Sequence, residues 1–262
     1  ERYWGPSMNL ASVCDFNGDG KDDLVFTNPD EYCIADGPTG NPLLGPLNQQ
    51  KIFNQPSLGL YTMPVILGNV GWAMPTTKRS SANTMGNAHP TEPIVCLIGG
   101  HYFQAALTLH AKPMWYKLPI CGQARCANEG FINIGTNDKP QWLMGFGRQN
   151  GKFACINVSD GSLRWEFDTG GSCSDVVGCD IDGDGRQEFI FGTSHGMIYA
   201  VGDDNGKPRI VWKLDTHVEE SNPILADVTG DGKPEVIFAG SDGRIRVFGN
   251  GPMKNSSLNP AP

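Results

Sequence analysis

One pattern recurs three times and each time runs straight into an apolar stretch: Asp15-Phe-Asn-Gly-Asp-Gly-Lys-Asp-Asp23, Asp180-Ile-Asp-Gly-Asp-Gly-Arg-Gln-Glu188 and Asp227-Val-Thr-Gly-Asp-Gly-Lys-Pro-Glu235. Oxygen-bearing side chains stand at positions one, three, five and nine, with Gly at six. Calcium takes about six to eight oxygens at about 2.3–2.6 Å, so a short loop that serves it must turn sharply enough to bring alternate side chains together. Gly20, Gly185 and Gly232 permit such a turn because glycine adopts positive φ without steric cost. The first loop offers Asp15, Asn17, Asp19 and Asp23, with the Lys21 carbonyl at position seven. The second offers Asp180, Asp182, Asp184 and Glu188, with the Arg186 carbonyl in the same place. The third offers Asp227, Asp231 and Glu235, with the Lys233 carbonyl; Thr229 replaces the carboxylate or amide at position three, which predicts the weakest site. Asp-Gly-Asp-Gly is also ordinary turn chemistry, but three copies with an acidic ninth residue point to Ca2+ as the cofactor.

The flanks exclude an EF-hand. Such a loop runs twelve residues to a bidentate Glu between two helices, whereas here the ninth position leads into Leu24-Val-Phe, Phe189-Ile-Phe or Val236-Ile-Phe. Apolar β-branched and aromatic runs of this length predict strands. A turn and a second strand follow, Gly192–Val201 matching Gly240–Phe248, and the chain continues through Asp203-Asp-Asn-Gly-Lys207 to Ile210-Val-Trp-Lys-Leu214. The repeat is therefore a four-stranded unit. It persists where the acidic loop is absent, at 92–107 and 141–156. Units begin near residues 11, 63, 130, 175 and 222, a spacing of roughly 45 to 67 residues, which suits blades of a β-propeller. The expected fold class is all-β, a propeller of four-stranded antiparallel blades, about five of them, in a single domain over 1–250 with a tail at 251–262. Fourth strands carry a Trp at Trp115, Trp165 and Trp212. The opening Glu1-Arg-Tyr-Trp-Gly-Pro6 fits that slot, so residues 1–6 are expected to complete the last blade and remove two open edges.

Asp-x-Asp/Asn-x-Asp-Gly-x-x-Asp/Glu within a repeated antiparallel unit resembles the FG-GAP or VCBS repeat of integrin α-chain propellers, some fungal lectins and secreted polysaccharide lyases. The resemblance is strong in three units and weak in two. It implies structural calcium between the first two strands of a blade, away from any binding surface. Asn157–Trp165 also resembles the Trp-bearing repeats of pyrroloquinoline-quinone propellers, whose rings are longer. Fold resemblance does not supply function, because propellers host many unrelated sites.

A chain of 262 residues suffices for a sizeable all-β core, and its 34 Gly and 19 Pro suit many tight turns. The net charge of -8 argues against a nucleic-acid partner, which requires a basic face. Eight cysteines lack Cys-x-x-Cys zinc spacing. They predict disulfides in an oxidising compartment, with Cys121–Cys126 closing a small loop and Cys14–Cys33 able to pair. Cys96 and Cys155, inside apolar strands, read equally well as buried free thiols. Asn157-Val-Ser159 and Asn255-Ser-Ser257 are sequons for N-glycosylation. No apolar run of about eighteen residues is present, and the opening lacks Met or a signal-like segment. The expectation is a processed piece of a secreted or cell-surface protein, possessing no transmembrane segment, within a larger multidomain or filamentous assembly.

The least regular region, 71–90, is a polar insertion carrying Trp72, Lys78, Arg79 and His89; His101, Tyr102 and His110 follow. Long insertions on rigid scaffolds often carry function. Two readings result. In the preferred one the propeller is non-catalytic and binds glycans or an extracellular protein. In the alternative, His101, Tyr102, His89 and Arg79 supply the base, acid and carboxylate-neutralising cation for β-elimination of a uronate-containing polysaccharide. Surface turns equally account for His101 and His195, and blade packing accounts for Trp115. No Gly-x-Ser-x-Gly, His-Glu-x-x-His or phosphate-cradling loop is present.

Overall fold

The computed structural model describes residues 12–27, 31–53, 65–67, 94–99, 103–117, 129–136, 139–148, 150–219 and 222–249. Residues 1–6, the tail 251–262, the insertion 71–90, His101, Tyr102, Cys121 and Cys126 lie outside them, as does the side chain of Cys96.

Five antiparallel sheets follow one another along the chain, each ordered as the sequence runs. The first holds β1 (Ser12–Cys14), β2 (Asp23–Thr27), β3 (Glu31–Ala35) and β4 (Pro42–Asn48), followed by a short helix α1 (Gln49–Phe53) that the strand periodicity does not predict. The second holds β5 (Val65–Leu67), β6 (Ile94–Gly99), β7 (Phe103–Thr108) and β8 (Pro113–Lys117). The third holds β9 (Gly130–Asn133), β10 (Trp142–Gly147), β11 (Lys152–Asn157) and β12 (Leu163–Asp168). The fourth holds β13 (Val177–Cys179), β14 (Glu188–Gly192), β15 (Met197–Asp203) and β16 (Pro208–Asp215). The fifth, among the described residues, has three strands: β17 (Ile224–Ala226), β18 (Glu235–Ala239) and β19 (Ile245–Phe248).

By its contacts the chain divides into two compact units: Glu1–Cys126 with Gly135–Trp142 and Ile156–Leu163, and Ala127–Ile134 with Leu143–Cys155 and Arg164–Pro262. In the first unit Val25, Tyr32, Ile34, Ala105 and Leu107 are buried together, with Phe53 of α1 against them. The Tyr32 hydroxyl donates to the Leu109 carbonyl at 3.0 Å, which satisfies a polar tip within an apolar core. In the second unit aromatic rings dominate. Phe153 stacks on Phe191 with centroids 4.2 Å apart, while Trp165 and Phe189 meet edge to face at 6.1 Å. Central strands buried on both faces explain the continuous apolar runs: every residue of β14 is buried.

Fourth-strand tryptophans prove to be packing residues that reach the following sheet. Trp115 donates its indole N–H to the Val158 carbonyl at 2.5 Å, and Trp165 donates to Asp203 Oδ1 at 2.8 Å. Trp212 lies 6.3 Å from Phe248, centroid to centroid.

The Cys14–Cys33 pairing that the sequence allows is not formed: both are free thiols, as are Cys155, Cys173 and Cys179. The topology forbids that bridge. Cys14 stands opposite Asp23 and Cys33 opposite Phe26, so β2 separates them and they are offset along it. Two inter-strand steps of about 4.8 Å already exceed the ~7 Å limit on Cα separation. Cys155 is fully buried and behaves as a small hydrophobe, its thiol pKa pushed upward by burial.

Candidate metal loops

The three acidic loops occupy the same place in their sheets. Cys14 pairs with Asp23, Cys179 with Glu188 and Ala226 with Glu235, so each loop closes the hairpin between first and second strands. Its ninth residue opens the second strand. That residue is buried in every copy: Asp23 and Glu188 at 0% exposure, Glu235 at 5%.

A buried carboxylate needs hydrogen bonds or a counter-charge, and these three begin by binding the backbone of their own loop. Asp23 Oδ2 accepts from the Phe16 and Asn17 amides at 2.9 and 3.3 Å. Glu188 Oε2 accepts from Ile181 at 3.2 Å, and Glu235 Oε2 from Val228 and Thr229 at 2.8 and 3.2 Å. The first residue clamps the opposite side. Asp15 accepts from the Gly18 and Gly20 amides at 2.7 and 2.9 Å, Asp180 from Gly183 and Gly185 at 2.7 and 2.9 Å, and Asp227 from Gly230 and Gly232 at 2.7 and 2.8 Å. All six glycines have φ between +73° and +84°, a region costly for side-chain-bearing residues. The glycine at position four therefore matters as much as the one at six, and its recurrence in all three copies is a sequence signal of the same turn.

Position five accepts from the amide two residues on: Asp19 from Lys21 at 2.9 Å, Asp184 from Arg186 at 2.8 Å and Asp231 from Lys233 at 2.9 Å. At position three, Asn17 and Asp182 accept from the Asp19 and Asp184 amides at 2.9 and 3.1 Å. Thr229 instead donates its hydroxyl to Glu235 Oε1 at 3.0 Å.

These bonds bring oxygens together. Asp180, Asp182 and Glu188 each place a carboxylate oxygen within 4.8 Å of the others, and so do Asp227, Asp231 and Glu235. Among the described residues no third acidic group of this kind is found. In the first loop the remaining Asp23 oxygen accepts from the Gly37 amide at 3.0 Å, while the Asn17 side-chain amide donates to Asp36 at 3.3 Å. The donor set is all oxygen, which fits a hard dication such as calcium rather than zinc.

The second loop contains a cation of its own. Arg209 on β16 reaches Glu188 Oε1 at 2.6 Å and Asp184 Oδ2 at 3.1 Å, with Asp182 Oδ2 at 3.9 Å. Burial and the neighbouring Asp182 and Asp184 raise the Glu188 pKa to about 7 despite the Ile181 amide and Arg209. Arg186 Nη2 donates to the Asp203 carbonyl at 2.7 Å, and the Asp203 carboxylate is gripped at both oxygens by Arg164, at 2.6 and 2.7 Å. Burial opposes ionisation of Asp203, but bonds from Arg164, Trp165 and the Gly206 amide outweigh it and hold its pKa below the usual carboxylate value. No sequence motif marks Arg209 or Asp203, because both act across strands far apart in the chain.

Of the alternative catalytic set, His101, Tyr102, His89 and Arg79 lie outside the described residues. His110 is exposed in a turn with its ring 4.9 Å from Phe16.

Residues 9–42, which include the first loop, match the model of the FG-GAP repeat. Comparison with curated proteins found no match. Among solved structures, BBS1N, crystallised in complex with ARL6DN, aligns at 9% identity over 95% of this chain and 67% of that one, with a TM-score of 0.63. Sqt1 of Saccharomyces cerevisiae aligns at 15% identity over 92% of this chain and 58% of that one, with a TM-score of 0.62. The fold is that of a β-propeller. Residues 9–42 form an FG-GAP repeat within it.

Proposed function

We propose that the chain is a calcium-stabilised module of a secreted or cell-surface protein, binding a glycan or a partner protein rather than turning over a substrate. The observation that carries this reading is the convergence of Asp227, Asp231 and Glu235, an all-oxygen cluster with no described residue in ion-pair contact. Three converging carboxylates repel one another, and a dication bound between them relieves that repulsion. Few-carboxylate sites work at about 10⁻⁴–10⁻³ M calcium in extracellular modules, which favours the outside of the cell. The likeness to BBS1N, itself crystallised with a partner, supports a propeller face used for protein binding.

The test is thermal unfolding in chelator and in millimolar calcium. At about a tenfold excess over Kd a bound ion adds about 1.4 kcal/mol, and Asp231→Asn is expected to reduce that gain. An identical melting curve in both conditions sinks the calcium reading. Incubation with a panel of uronate polymers tests the absence of turnover; unsaturated ends absorbing in the ultraviolet would establish the lyase instead.

A further inference from the structure

Arg209 stands two strands away from the carboxylates it meets. Glu188 opens β14, Arg209 lies on β16, and β15 runs between them. The residue of β15 opposite Arg209 is Gly202. A Cβ there would come within 3.1 Å of Arg209 Nη2, 3.2 Å of its Nε and 3.3 Å of Glu188 Oε1. The guanidinium thus lies across bare backbone to reach Glu188, and Nε, buried over Gly202, has no hydrogen-bond partner. A guanidinium that gives up one donor to sit among three carboxylates is held there by their charge.

We propose that Arg209 is the resident counter-cation of the 180–188 loop, and that a divalent ion binds there only by displacing it. This inference rests on the calcium reading above. The loop is then folded without metal, and its affinity for calcium is set by competition with a tethered guanidinium. At 227–235, where no described cation meets Asp227, Asp231 or Glu235, an ion enters without that competition. Gly202 is the positioning partner, because a Cβ at that place would force the guanidinium and Glu188 to shift by a few tenths of an ångström.

The experiment titrates calcium into the whole protein by calorimetry and records melting curves in chelator, for wild type, Arg209→Gln, Gly202→Ala and Asp231→Asn. Arg209→Gln is expected to tighten one site at least tenfold, or to add one, while lowering the melting temperature in chelator by several degrees. Gly202→Ala should shift both readouts in the same directions by smaller amounts, which keeps the test informative if Arg209→Gln folds poorly. Calcium binding that weakens in Asp231→Asn but is unchanged or weaker in both Arg209→Gln and Gly202→Ala overturns the displacement and leaves the calcium reading intact. An unchanged melting temperature in chelator for both variants overturns the counter-cation role by itself. No calcium binding by any of the four proteins overturns both readings.

Discussion

The loops at 180–188 and 227–235 share strand register, glycine positions and backbone hydrogen bonds, yet settle their charge differently. At 180–188 the fold supplies a guanidinium, 2.6 Å from Glu188. At 227–235 three carboxylate groups converge and Thr229 donates its hydroxyl to Glu235. The shared features are those that shape the loop: first and ninth carboxylates accept amides in both. The differing features are the group at position three and the charge that meets the carboxylates. Shape and ion dependence are thus separate properties, and the Asp-x-Asp-x-Asp-Gly pattern specifies the first more firmly than the second.

The largest test of this contrast is Asp203→Ala. It removes both oxygens that hold Arg164 and the acceptor of the Trp165 indole, beside the loop that Arg186 ties to the same residue. Breaking this part-buried bidentate pair costs about 3 kcal/mol, on the order of 10 °C in a domain of this size. The loss should be equal in chelator and in calcium. If calcium restores the melting temperature, the second loop depends on an ion after all. Acidification of wild type acts on the same group. The folded-state pKa of Asp203 is depressed, so its contribution is present above the unfolded carboxylate range and is lost as pH falls through the folded value. Melting temperature should drop in acid in wild type, and by less in Asp203→Ala.

A paired substitution is smaller and sharper. Arg209→Gln removes the cation that faces Glu188, Asp184 and Asp182 and should destabilise the chelated protein by about 1–3 kcal/mol. Glu235→Gln removes charge where no described cation faces it, so it should leave the chelated protein nearly unchanged and abolish up to about 1.4 kcal/mol of calcium stabilisation. Equal behaviour of the two variants in both conditions would erase the distinction between the loops.

Much of the fold is legible in the sequence because its determinants are local. Runs such as Phe189-Ile-Phe and Val236-Ile-Phe follow their loops directly, and the Gly-bearing turns fix where each hairpin reverses. Fourth-strand tryptophans are legible as packing residues from their recurrence. What stays hidden is every contact made across a strand: Arg209 to Glu188, Trp165 to Asp203, and the β2 strand that keeps Cys14 from Cys33. The Gly202 that lets an arginine through has no local signature, because its role appears only once β16 is paired beside it.

Glu129 offers a third solution to a buried negative charge, neither guanidinium nor ion. Its Oε1 is buried with no hydrogen-bond partner among the described residues, and burial, aided by Asp175, raises its pKa to about 8 against a favourable amide of its own backbone. It keeps its proton. The sign follows from linkage: the folded state binds this proton more tightly than the unfolded chain, so the contribution is full below the unfolded pKa of about 4.3 and is lost as pH rises through 8. Glu129→Gln mimics the protonated form and should match wild type near pH 4, then exceed it by a few degrees at pH 8 and above. A difference of the same size at every pH would mean that the side chain matters here for its shape and not for its proton.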